Sequence, residues 1–191
     1  MYKRQHRYQL TSSATSKWSV PGWPLSLSVT PSGNLLVTCK EPNKLVELSA
    51  DSGESVREIA LQADIEHPHH SVELTTGHVA CHGYGYASHR LCVVGDDGKV
   101  ACSYSGQGDT DDEQVIWPRY LAVDEDSQFM FVADEVNSRV VLLHVSPSEV
   151  KFECSVPQGV SGPVRLYFHQ ATRRLFVGQF EGGVSVIQLL K

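Results

Sequence analysis

Six of the nine histidines crowd into one stretch: His67, His69, His70, His78, His82 and His89. Imidazole binds zinc, copper and iron, so a metal site is the first chemistry this pattern raises. The spacing argues against it. Neighbouring residues on a strand point to opposite faces, so His69 and His70 do not readily share one ion, and His89 opens a later strand at a different height. Asp109-Thr-Asp-Asp-Glu113 gathers carboxylates but lacks the glycine and terminal glutamate spacing of a calcium loop, and it reads as a solvated linker. Gly106-Gln-Gly108 is too short for a phosphate loop without a helix behind it. No Gly-x-Ser-x-Gly elbow presents a nucleophile. No catalytic residue, metal or cofactor is therefore assigned.

The remaining candidates depend on the elements that carry them. The chain has 191 residues, 41% of them hydrophobic and 20% charged. That composition suits one sizeable core and excludes wholesale disorder, a collagen-like repeat or a coiled coil. No apolar run approaches the roughly 20 residues of a membrane helix. The basic start, Met1-Tyr-Lys-Arg-Gln-His-Arg7, is followed by no apolar stretch, so no secretory signal and no membrane partner are expected. A net charge of −6 disfavours RNA as the default partner, because phosphate contacts need Lys and Arg. The five cysteines, Cys39, Cys81, Cys92, Cys102 and Cys154, are odd in number, scattered and without a CxxC pair. They read as reduced, small buried hydrophobes in a cytoplasmic protein rather than as a disulfide framework or a zinc site.

One pattern recurs four times, at intervals of about 45 residues. A proline (Pro24, Pro68, Pro118, Pro163) opens an alternating strand, a polar turn follows, and two or three further short strands complete the unit. Asp51-Ser-Gly53 and Gly95-Asp-Asp-Gly98 supply tight hairpin turns. No segment shows the 3.6-residue apolar period of a helix. The fold expected is all-β, a β-propeller with about four blades of four antiparallel strands. The chain is read as a single domain over 1–191, with repeats at about 18–59, 60–104, 105–157 and 158–191. The last repeat has only three strands, so Arg7-Tyr-Gln-Leu10 is expected to add to it as an outer, ring-closing strand and cover its edge. If the ring is incomplete, self-association is the alternative outcome.

The third repeat is the most specific: Trp117-Pro-Arg-Tyr-Leu-Ala-Val-Asp124, then Phe129-Met-Phe-Val-Ala-Asp134, then Asn137-Ser-Arg139 and an apolar strand. It resembles an NHL repeat, with Asp124, Asp134, Asn137 and Arg139 matching residue by residue. The repeat from Pro68 matches more loosely, with His82 at the second Asp. Those from Pro24 and Pro163 match in their apolar frame. The resemblance implies a six-bladed propeller of the TolB-like type, of which this chain holds a part or a variant. It also implies a recognition role like that at the end of tripartite-motif ubiquitin ligases. No RING or B-box cysteine pattern is present, so the chain would be at most the substrate-recruiting part of such a protein.

In that frame Asp134, Asn137 and Arg139 form a structural brace. The residues around the start of each first strand, Trp23, His69, His70, Trp117, Arg119, Tyr120 and Arg165, should gather at one mouth of the central channel. Aromatic and Arg side chains are the types enriched at binding hot spots, and Arg119 and Tyr120 are expected at the surface. The function expected is a non-catalytic protein-interaction module. The alternatives are an RNA-binding NHL propeller, and a metal-dependent lyase or hydrolase of the six-bladed class, since NHL-type propellers include a zinc-dependent amidating lyase.

Overall fold

The computed structural model describes residues 4–9, 14–77, 79–85, 88–105, 114–156 and 159–189. His78, Leu10 and the 106–113 stretch lie outside them, as do the side chains of Cys81 and His82. The described residues form seventeen strands and one 3-10 turn, Gln170–Thr172.

The strands fall into five antiparallel sheets that follow chain order. β1 (Arg4–Gln9) and β2 (Ala14–Ser19) form a hairpin. The first blade is β3 (Trp23–Val29), β4 (Leu35–Lys40), β5 (Lys44–Leu48) and β6 (Ser55–Ala60). The second is β7 (Pro68–Glu73), β8 (Val79–Gly85), β9 (Ser88–Val94) and β10 (Val100–Tyr104). The third is β11 (Pro118–Asp124), β12 (Phe129–Asp134), β13 (Arg139–Val145) and β14 (Val150–Ser155). The fourth has three strands, β15 (Pro163–His169), β16 (Arg174–Gln179) and β17 (Val184–Gln188). The expected closure by residues 7–10 is corrected here. β1 pairs with β2, the next strand in sequence, and not with β17. A partner four residues away has a much smaller loop-closure cost than one at the far end of the chain.

Strand periodicity explains the packing. Successive side chains leave opposite faces of a strand, so a sheet held between two others needs apolar residues at both parities. In the third blade Leu121, Met130, Val132, Val141 and Leu143 face back to Val72, Leu91 and Val93 of the second. The alternate set, Ala122, Phe131, Ala133 and Val140, faces forward to Leu166, Phe168, Leu175 and Val177 of the fourth. The Phe131 and Phe168 rings meet across that joint with centroids 5.2 Å apart. Leu36, Leu45 and Ile59 of the first blade meet Cys92 and Val94 of the second, with Leu61 and Ile65 from the connecting segment. Polar contacts add to the same joint: Ser28 Oγ donates to the Ser71 carbonyl at 2.7 Å, and Thr38 Oγ1 to Ser71 Oγ at 3.1 Å.

The first strands of successive blades run against one another, β3 with β7, β7 with β11 and β11 with β15. They line the inner side of an arc. No comparable joint links the fourth blade to the first among the described residues. The cysteines follow the blades in part. Cys39 and Cys92 are buried, and burial pushes each thiol up to about 11. Cys102 is half-buried and Cys154 is exposed, against the expectation of burial, because β14 is an outermost strand and a register shift between Phe152 and Cys154 turns Cys154 away from the face that covers Val150 and Phe152.

The turns between third and fourth strands also join blades. Gly98 (φ +73) lies against the carbonyl of Ala60, at the end of the preceding blade's outermost strand, with no room for a Cβ. Gly33 (φ +84) needs the same left-handed backbone but faces open space. Gly33→Ala should therefore cost about 1–2 kcal/mol, the backbone penalty alone. Gly98→Ala should cost clearly more, because the blades must also separate. Denaturant unfolding of the two variants checks this: equal losses would mean that the Gly98 contact does not matter.

Candidate functional site

The third blade's signature residues are the structural brace that the sequence suggested. Asp134 closes β12 and is fully buried. One carboxylate oxygen accepts from Arg139 Nε at 2.9 Å and Asn137 Nδ2 at 2.9 Å; the other accepts the Ile116 N–H at 3.0 Å. Arg139 Nη2 and Asn137 Nδ2 both reach the Gln114 carbonyl, at 2.7 and 3.0 Å. The cluster ties the segment entering the blade to the end of its second strand. Every acceptor it uses is a group of the fold, so it is architecture and not chemistry.

What that segment delivers is the start of β11. In each blade the pairing of first and second strands shifts register just after the proline: at Pro24/Ser26, Pro68/His70, Pro118/Leu121 and Pro163/Arg165. A bulge of this kind re-aims the side chains it spans. The residue in front of the proline is left-handed in three blades: His67 (φ 46), Trp117 (φ 57) and Gly162 (φ 51). For a side chain as large as tryptophan that conformation is an outlier, of the kind that clusters at functional sites.

The side chains so aimed meet one another. Tyr120 stacks on His70 with centroids 3.7 Å apart, and the Arg165 guanidinium lies over the Tyr120 ring at 5.3 Å. Arg119 lies over Trp117 at 5.3 Å and is ion-paired with Glu135. Burial, followed by the charges of Arg119, Arg165, Lys40 and His67, holds the His69 imidazole below the usual histidine range. Six of the seven candidates thus share one neighbourhood. Trp23 joins its edge through Lys40, its partner in the β3–β4 ladder.

Their roles differ. Trp23 and Trp117 are exposed and Arg165 is exposed, whereas Arg119 and Tyr120 are half-buried by the contacts just described. His70 is only 1% exposed and cannot be a surface contact. Its Nδ1 accepts the Leu121 N–H at 3.3 Å, so it fixes β7 to β11 beneath the aromatic cluster. Sequence reasoning missed three residues that immediately follow or end second strands: Lys40, Glu135 and Phe180. Phe180 is 75% exposed, and its N–H donates to the Gly162 carbonyl at 2.9 Å, which places it beside the start of β15. Among the described residues no group of His, Cys, Asp and Glu is placed to hold a metal ion.

The sequence matches no protein-family model and no curated protein. Solved structures do match. The protein is similar to virginiamycin B lyase from Staphylococcus aureus, at 14% identity and a TM-score of 0.62, over 98% of this chain and 64% of that one. It is similar to a chain of the nidogen/laminin complex, at 14% identity and a TM-score of 0.71, over 96% and 67%. It is also similar to a gluconolactonase from Xanthomonas campestris, at 14% identity and a TM-score of 0.68, over 97% and 65%. These identities speak for the fold alone, and the fold is a β-propeller. The chain spans about two thirds of the length of the chains it resembles.

Two measurements check this geometry. Asp134→Ala strands the Arg139 guanidinium and should cost about 3–5 kcal/mol in denaturant unfolding, the usual result of removing one partner from a buried ion pair. His70 gives a pH dependence. Burial, with Arg165 and His69 nearby, lowers its folded-state pKa to about 3 from the usual histidine value of 6.5. Below pH 6.5 the unfolded chain takes up a proton that the folded chain refuses, so stability falls with acidification until about pH 3. At pH 5 the loss should be about 2 kcal/mol. Melting temperatures from pH 7 to pH 5 should drop more steeply for the native protein than for His70→Gln; parallel curves would remove His70 from the explanation.

Proposed function

We propose that the protein is a binding module that engages a protein partner through the rim where its innermost strands begin. The observation that carries this reading is the set of exposed aromatic side chains at that rim, Trp23, Trp117 and Phe180, interleaved with Arg119 and Arg165. Aromatic and Arg residues combine large contact area with directional hydrogen bonding, and they dominate the energetics of protein interfaces. Trp117 keeps its exposed ring in a strained backbone conformation, and Arg119 braces that ring while itself ion-paired to Glu135. Such preorganisation lowers the entropy lost on binding. The structural neighbour from the nidogen/laminin complex is consistent with this use of the fold.

On the finer reading the repeats are of the NHL type, which the Asp134–Asn137–Arg139 brace supports. The module then recruits substrates in the cytoplasm for a ubiquitin-ligase type protein. RNA is the second ligand class for such a rim, and a lyase or hydrolase like two of the structural neighbours is the catalytic alternative.

The test compares the native protein with Trp23→Ala/Arg165→Ala/Phe180→Ala, three exposed positions whose replacement should leave the melting temperature within a few degrees. Proteins captured from lysate with nuclease present, and lost at least tenfold by the variant, are the expected result. Capture that vanishes with nuclease would replace the protein partner with RNA. Equal capture by both forms would overturn the rim as the site, and a stoichiometric metal in the purified protein would turn attention to the catalytic alternative.

A further inference from the structure

Arg119, Arg165 and Lys40 come close enough to His69 for their charges to act on its imidazole. Two of these three cations are answered by carboxylates. Arg119 is ion-paired with Glu135, and Lys40 Nζ lies 3.6 Å from Glu41 Oε1. Arg165 differs. It is exposed, and among the described residues no carboxylate pairs with it.

The Arg165 head group is nevertheless held in place. Its Nη1 donates to the Val164 carbonyl at 2.7 Å, and the guanidinium lies 5.3 Å from the centre of the Tyr120 ring. Tyr120 belongs to β11, so the guanidinium is turned back to the third blade and not to the far face of the fourth. The Tyr120 ring stacks on His70, which is buried and accepts the Leu121 N–H. Residues of three successive first strands thus fix one cation. Its Nε and Nη2 meet no acceptor among the described residues. Those two atoms form one edge of the guanidinium, the edge that takes a carboxylate through two parallel N–H···O bonds. The Tyr120 hydroxyl meets no acceptor among the described residues either, and burial raises its pKa, so it keeps a proton to donate. Phe180, bonded through its N–H to the Gly162 carbonyl, stands exposed beside the start of the strand that carries Arg165.

We propose that Arg165 is the anion-recognition residue of the rim, and that its ligand is an aspartate or glutamate side chain in an acidic segment of the partner protein, with a neighbouring apolar side chain against Phe180. The proposal presupposes that the rim is the binding face, and it names the chemistry bound there. Charge complementarity favours a peptide over RNA. One guanidinium edge matches one carboxylate, whereas an RNA backbone needs several cations to neutralise its phosphates. Glu41 and Glu135, beside the other two cations, would repel those phosphates. A peptide can place a single acid at Arg165 and apolar groups elsewhere. Because the guanidinium is already held over Tyr120, little side-chain freedom is lost when the carboxylate arrives.

The test pans a phage library of random dodecapeptides on the full chain and on Arg165→Glu. The native protein should enrich peptides with Asp or Glu beside an aromatic or branched apolar residue, and Arg165→Glu should enrich Lys or Arg in place of the acid. The strongest native binder, labelled with fluorescein and followed by anisotropy, should lose at least tenfold in affinity with Arg165→Gln. It should lose as much when its own acid is replaced by the amide, and little more when both changes are combined. Arg165→Lys, which keeps the charge without the two-pronged edge, should fall between and stands in if melting shows either other variant unfolded. No enrichment, enrichment without an acid, or an acid indifferent to Arg165 would overturn the proposal. Peptides of that kind still lost with Trp23→Ala/Phe180→Ala would leave the rim as the binding face, whereas peptides indifferent to both sets of changes would overturn the rim as well. Tighter binding of a labelled oligouridine than of any peptide would overturn the proposal in favour of RNA.

Discussion

Each blade is held by burying both faces of its strands between its neighbours. Burying one valine, leucine, isoleucine, methionine or phenylalanine side chain contributes about 1.5–3 kcal/mol, and the three joints bury more than a score of such residues. Hydrogen bonds within a sheet fix its register but do not attach it to the next sheet. The attachment is the parity of the third blade's strands, Leu121 and Met130 backward, Ala122 and Phe131 forward. The position of the rim side chains follows from it, because the packing of β7 on β11 and of β11 on β15 decides which residues around their prolines meet.

The same constraint separates what was legible in the sequence from what was not. β7, β11 and β15 begin at the prolines Pro68, Pro118 and Pro163, and β3 one residue before Pro24, where the repeat placed them, because two-faced burial writes itself as apolar runs bounded by Gly, Asp and Pro. The Asp134, Asn137 and Arg139 brace was legible because the three are close in sequence. The β1–β2 hairpin was not: Ala14-Thr-Ser-Lys-Trp-Ser19 has no apolar alternation, and Trp18 packs on the core. His70 lies beneath the mouth rather than open to it because its parity relative to the bulge is set by tertiary pairing, which shifts register between Pro68 and His70. Phe180 was missed for a simpler reason. It follows a second strand rather than opening a first one, and only the Phe180–Gly162 backbone bond shows that these two places coincide.

The rim and the brace illustrate a division of labour. Asp134, Arg139, His70 and the bulges belong to the frame; their hydrogen bonds end on backbone or on one another. Trp23, Trp117, Arg165 and Phe180 are carried by that frame and contribute little to it. None of the four belongs to the buried apolar clusters that form the joints. At this rim Lys40, Arg119 and Arg165 lie around His69, and Glu135 is ion-paired with Arg119.

The joints among the described blades are unequal, and this has a thermodynamic consequence. In a closed ring every blade has two neighbours and the structure melts as one. An open array behaves as a one-dimensional lattice, with each unit stabilised by its own sheet and by the contacts on either side. The third blade is held on both faces by large apolar clusters. Local opening should therefore reach β12 and β13 last, giving the molecule a gradient of amide protection along its chain instead of a single unfolding free energy.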